Sequence, residues 1–184
     1  VSSSVSTFRS GSWRQLSSNS SEVSLGYLFA ETTAYLGMKS NEHEFKLMGM
    51  APYAEPEHVD RLAKELHSII WLDDEGKFRS SVSAYKFLPL LAKVYAFERF
   101  DVISGAIQKL TEDLVCQWAE YWVKKSGLRN VAVSGGVFMN VKAAKRLSEA
   151  PFLDKLFVVP SASDESLPIG ALWLAAKEDG QPVS

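Results

Sequence analysis

Two short stretches hold residues whose types and spacing suit ligand chemistry. The first is Ser134-Gly135-Gly136-Val137-Phe138-Met139-Asn140, and the second is Ser161-Ala162-Ser163-Asp164-Glu165-Ser166. Two glycines placed directly after a strand let the backbone turn sharply and let a ligand approach with no Cβ in the way. A helix starting just beyond them aims its first N–H groups at the same space, which favours phosphate. A plain tight turn explains the pair equally well. Asn140 either caps that helix or hydrogen-bonds a nucleotide. In the second stretch, Asp164 can bind a cation or order a water near phosphate. Capping competes with that reading and has the edge on spacing alone, with Ser163 or Asp164 as N-cap and Glu165 in the first turn. Neither stretch is G-x-G-x-x-G or G-x-x-x-x-G-K-[ST], which disfavours a Rossmann dinucleotide site and a P-loop.

Other chemistries find little support. The three histidines, His43, His58 and His67, include no i, i+4 pair of the kind that holds a metal. All three read as surface residues. No Ser/His/Asp order stands out. The single cysteine, Cys116, excludes an intramolecular disulfide and a cysteine-built zinc site. It reads as a small buried hydrophobe rather than a reactive thiol.

The elements that must position the two stretches follow from periodicity. Phe97 to Ser126 reads as a long helix, with Phe100, Ile103, Ile107, Leu110, Leu114, Trp118 and Tyr121 on one face. Gly105 inside it marks a close packing contact, and Gly127 ends it. Asn130 to Ser134 is a β-branched strand, Asn140 to Glu149 a helix, Lys155 to Pro160 a second strand and Leu167 to Lys177 a helix. Strands alternating with helices predict a parallel sheet with helices packed on it. Both candidate stretches then lie at carboxyl ends of strands, where open α/β sheets bind ligands.

The N-terminal half is less regular. Residues 1–24 are serine-rich and read as a β-hairpin turning at Ser10-Gly11-Ser12, with a loop from Ser17 to Ser21. A disordered terminus is the alternative. Residues 25–37 predict a helix capped by Ser24 and stopped at Gly37, burying Leu25, Leu28, Phe29, Thr32 and Leu36. Residues 41–54, NEHEFKLMGMAPYA, read as an apolar loop with Gly49 and Pro52, and Lys46 just before them. Pro56 to Ile70 predicts a helix with Val59, Leu62, Ala63, Leu66 and Ile70 as its stripe. Asp73 to Lys77 is a charged turn, and residues 80–96, with Pro89, carry no clear assignment. The organisation is therefore 1–24 hairpin and loop, 25–96 helices and an insert, and 97–178 an α-β-α-β-α core.

Composition bounds the function. The chain has 184 residues, 20 Lys plus Arg against 22 Asp plus Glu, and a net charge of -2. That balance argues against a nucleic-acid partner. No apolar run approaches the ~20 residues that span a bilayer, and no signal peptide is visible. A reducing, cytoplasmic location is the expectation.

Taken together, the motifs are similar to those of a known family. NEHEFKLMGMAPYA, VAVSGGVFMNVKAAKRL and LFVVPSASDESLPIGAL resemble, in order and spacing, three signature segments of the NodU/CmcH-type carbamoyltransferases. The helix GYLFAETTAYLGMK resembles the one preceding the lysine motif. The resemblance covers Gly26 to Ala176. It implies an enzyme that moves a carbamoyl group from carbamoyl phosphate to a hydroxyl acceptor through a carbamoyl-adenylate made with ATP. It also implies an α/β fold: the C-terminal ribonuclease-H-like lobe of a domain of the actin/hexokinase/Hsp70 superfamily, a mixed sheet with the hairpin and helices packed on it.

Carried over by position, Ser134, Gly135, Gly136 and Asn140 would line the nucleotide. Lys46 and Gly49 would lie at or near the cleft. Asp164 would be a ligand of a divalent metal, iron(II) or magnesium. The family's first lobe, with its H-x-x-x-H metal ligands, and its carbamoyl-phosphate domain have no counterpart in these residues, so the chain alone is expected to be inactive. Phe45 and Ala54 depart from the lysine motif, Pro168 stands where alanine is usual, and Ser163 and Ser166 stand where the family carries glycines. A left-handed backbone at those last two positions would resist serine. Two alternatives remain: a lobe of a tRNA threonylcarbamoyl-transferase-like enzyme, and a non-catalytic binding or assembly module.

Overall fold

The structure is a computed structural model that describes residues 1–181. It is a mixed α/β chain forming two compact units, Val1–Leu128 and one that starts at Arg129.

The first unit opens with the expected hairpin, β1 (Ser3–Arg9) and β2 (Ser12–Asn19). Ser10 and Gly11 take the left-handed conformations that a two-residue hairpin turn requires. Residues 17–19, expected as loop, continue β2, because a register shift between Val5 and Ser6 keeps the ladder paired to Asn19. Helix α1 (Leu25–Tyr35) starts where Ser24 Oγ accepts from Tyr27 N at 3.1 Å. Gly37, at φ 74°, lets the chain leave it. Leu25, Leu28, Phe29 and Thr32 are buried as expected, whereas Leu36 is only half-buried.

The apolar loop expected at 41–54 is instead a short helix, α2 (Glu44–Met50), followed by a 3-10 turn at Ala51–Tyr53. Leu47 is completely buried as α2 packs against the long helix. Helix α3 (Pro56–Leu66) has Pro56 in its first turn and buries Leu62, Ala63 and Leu66. It stops short of Ile70, which opens strand β3 (Ile70–Leu72), paired antiparallel with β4 (Phe78–Ser80) across the charged turn. Helix α4 (Phe87–Val94) occupies the unassigned segment, with Pro89 in its first turn, where a missing N–H costs no helical bond.

Helix α5 (Phe100–Ser126) is the spine of this unit. It begins three residues later than expected because Phe97 is left-handed, at φ 67°. Ile103, Ile107, Leu110 and Leu114 are fully buried, but Phe100 is 60% exposed. A Cβ on Gly105 would lie 2.6 Å from Val59 Cγ2, so this glycine allows α3 and α5 to close together. Gly127, at φ 70°, ends the helix.

The second unit holds β5 (Asn130–Val133), α6 (Val141–Ser148), β6 (Lys155–Val158) and α7 (Leu167–Glu178). Strands β5 and β6 pair in parallel, Asn130 with Lys155 through Val133 with Val158. Helix α6 buries Ala143 and Leu147. The described residues hold three two-stranded sheets, β1–β2, β3–β4 and β5–β6. Among the described residues no helix is long and apolar enough to cross a membrane.

Candidate functional site

Parallel pairing brings the carboxyl ends of β5 and β6 side by side, and specific hydrogen bonds fasten the two following loops. Gly135 N donates to Ala162 O at 2.5 Å, and Ser134 Oγ donates to the same carbonyl at 3.3 Å. Ala162 is itself buried. This clasp sets Asp164 two residues from the glycine pair's anchor. Nothing in the residue type of Ala162 signals such a role, because its backbone carbonyl does the work.

The two glycines serve different ends. Gly135 has φ 109° and ψ 151°, a region that residues with a Cβ avoid. Gly136 has ordinary backbone, and a Cβ on it would meet no heavy atom within 4 Å. Gly135 therefore shapes the turn, and Gly136 leaves open space at the strand end. A 3-10 turn over Gly136–Met139 leads into α6, with Phe138 N bonded to Gly135 O at 2.9 Å.

Asn140 is buried and caps α6, its Oδ1 accepting from Ala143 N at 3.1 Å. Its capping reading is thus the one seen. The corresponding expectation for Ser163 and Asp164 is not met, since neither side chain makes a cap bond. Ser166 Oγ instead donates back to Ser163 O at 2.9 Å. The Asp164 carboxylate is exposed and has no bonding partner among the described residues. Ser163 and Ser166 take φ of -85° and -82°, so serine replaces glycine there without backbone strain. The left-handed residue of this loop is Ser161, at φ 53°.

Ser134, Gly135, Gly136, Asn140 and Asp164 thus share the second unit. Lys46 and Gly49 lie three apart on α2 in the first unit, both exposed. The Lys46 ammonium sits 5.9 Å from the Phe45 ring centroid. Gly49 has open space where a Cβ would stand. No group of three or more His, Cys, Asp or Glu side chains that could hold a metal occurs among the described residues. A lone Asp164 is an incomplete donor set, since divalent cations take several oxygen ligands. His58 is exposed as expected, whereas His67 is half-buried with Nε2 3.9 Å from Asp113 Oδ2.

Comparison with known proteins decides the family. A family model described as "Carbamoyltransferase N-terminus" matches residues 3–173. The chain belongs to the carbamoyltransferase N-terminus family. The motif resemblance is therefore borne out at the level of the family. Among similar proteins, an uncharacterized protein of Synechocystis sp. is 32% identical over 165 residues, covering 80% of this chain and 26% of that protein. Nodulation protein NolO of Bradyrhizobium diazoefficiens is 28% identical over 177 residues, covering 92% of this chain and 31% of that protein. An uncharacterized protein of Methanocaldococcus jannaschii is 24% identical over 167 residues, covering 88% of this chain and 27% of that protein. The chain spans about a quarter to a third of the length of these curated relatives.

Proposed function

We propose that this carbamoyltransferase N-terminus chain supplies part of the nucleotide site of an O-carbamoyltransferase with a ribonuclease-H-like lobe. In that reading, the enzyme transfers a carbamoyl group from carbamoyl phosphate to a hydroxyl acceptor through an ATP-derived carbamoyl-adenylate. The observation that carries it is the clasp between Gly135 and Ala162, which joins a glycine pair and an exposed carboxylate at neighbouring strand ends. Each residue has a physical part. Gly136 leaves room for phosphate to approach the backbone. The amino end of α6 favours negative charge there. Asp164 supplies one oxygen ligand to a divalent metal, iron(II) or magnesium, whose other ligands come from outside these residues. On α2 of the first unit, exposed Lys46 offers a cation and Gly49 an open backbone to the nucleotide.

Calorimetric titration with ATP tests this directly. The 184-residue chain alone is expected to bind ATP weakly or not at all, and tight micromolar binding would contradict the view that it holds only part of the site. In the full-length enzyme, Asp164→Asn is expected to abolish metal-dependent turnover. Unchanged activity would remove Asp164 from the site.

One observation favours a second reading, an assembly module. Helix α7 exposes Leu167 and Leu174 on one side and Ile169 and Leu172 on the other, each by more than half, apolar surface that a partner would cover. Full carbamoyl transfer by the intact enzyme, lost on Gly136→Ala with fold retained, would set that reading aside.

A further inference from the structure

We propose that a second anion site, which takes a small phosphate ester, lies between the β1–β2 hairpin and the last turns of α5. Alternation along the strands puts Thr7 and Arg9 on one hairpin face, and their cross-strand partners Arg14 and Ser12 share it. Arg9 and Arg14 are diagonal neighbours, a separation of roughly 7–8 Å that one phosphate can bridge. Facing them across a groove of about 600 Å³ are Trp122 and Lys125 of α5. That volume suits a mononucleotide or a sugar phosphate.

The charges in the groove are one-sided. Its lining contains Arg9, Arg14 and Lys125 and no carboxylate, in a protein whose net charge is -2. Arg14 has no partner among the described residues. Arg9 Nη2 donates to Ser126 O at 3.0 Å. That bond offsets the negative end of the α5 dipole, and the remaining guanidinium donors stay available. The Lys125 ammonium lies 4.9 Å from the Trp122 ring centroid and donates to Tyr121 Oη at 3.0 Å. These contacts hold it at the groove wall with further N–H donors to give. Two guanidinium forks, one ammonium and the hydroxyls of Thr7 and Ser12 form a donor set matched to phosphate oxygens. The site belongs wholly to the first unit and does not depend on the glycine loop.

Pyrophosphate is the probe, titrated calorimetrically into the chain at low ionic strength, where exposed charges are least screened. Binding with a Kd of roughly a millimolar or tighter is expected. Arg14→Gln should weaken it by about tenfold or more, as loss of a charged hydrogen-bond donor does, and Arg9→Gln/Lys125→Gln should remove it. Lys124→Gln loses the same charge one residue away, from a lysine paired with Glu120, and should leave affinity within about twofold. Circular dichroism confirms that each variant is folded. Absence of binding to the wild-type chain, equal weakening by Lys124→Gln, or an affinity untouched by Arg14→Gln would each overturn the proposal.

Discussion

Replacing Gly135 and Gly136 by alanine, one at a time, separates shape from access in the strand-end loop. At Gly135 an added Cβ would meet nothing within 4 Å, so there is no clash. The whole cost is backbone: φ 109° with ψ 151° lies in a region that is essentially glycine-only, where a side chain costs about 1–3 kcal/mol. The loop can escape that strain only by giving up the Gly135 to Ala162 bond, itself worth about 0.5–1.5 kcal/mol. Gly136 also has open space but ordinary backbone. Alanine there should be neutral or stabilising by about 0.4–1 kcal/mol, because it restricts the unfolded chain. Hydrogen exchange in peptides spanning 129–166 reads the difference within the second unit. Gly135→Ala should accelerate exchange roughly 5- to 150-fold, from 1–3 kcal/mol at a factor of ten per 1.4 kcal/mol. Gly136→Ala should leave exchange unchanged or slow it, while weakening nucleotide binding by the intact enzyme. Equal acceleration by both variants, or none by Gly135→Ala, would refute the division of roles.

Three further outcomes follow from the geometry. Gly76→Ala should destabilise the first unit by about 2–4 kcal/mol in urea denaturation, since its φ is 72° and its Cβ would lie 2.2 Å from the Tyr121 ring. Asn140→Ala removes the cap on α6 and should cost about 1 kcal/mol, read as faster exchange in residues 141–148. The Arg99 guanidinium, bonded to both oxygens of Asp101, holds that carboxyl below the usual range against the opposing cost of burial, and Val102 N adds to the effect. A lowered folded-state value means the stabilisation is present above the ordinary Asp value of about 3.9 and fades as pH falls through the folded value. Asp101→Asn should therefore lower stability at pH 6 and flatten its loss below about pH 4, measured by denaturation across that range.

The half of the fold that carries the two candidate stretches was legible because its signals are local. Short apolar runs at 130–134 and 155–160, the glycine ending α5 and the Asn140 cap each act within a few residues. The N-terminal half was less so. Residues 44–50 form a helix because Leu47 is buried against α5, and seven residues are too few to hold a helix by propensity. Ile70 suited the α3 stripe but went to β3, since either element buries it. The three-residue strands β3 and β4 draw on distant groups: Asn19 Nδ2 donates to Phe78 O at 2.8 Å, and Trp122 Nε1 to Gly76 O at 3.0 Å.

By itself, the sequence determined the strand–helix alternation of the second unit, the two strand-end stretches and the family, because these rest on periodicity and on motifs with short spacing. Only the tertiary structure decided that Gly135 is needed for its backbone angle and that Gly136 has ordinary backbone with open space beside it. It also decided that Asp164 is not a cap and that Ala162 joins the loops. Those distinctions depend on dihedral angles and on bonds between residues far apart in the chain, which residue identity does not encode.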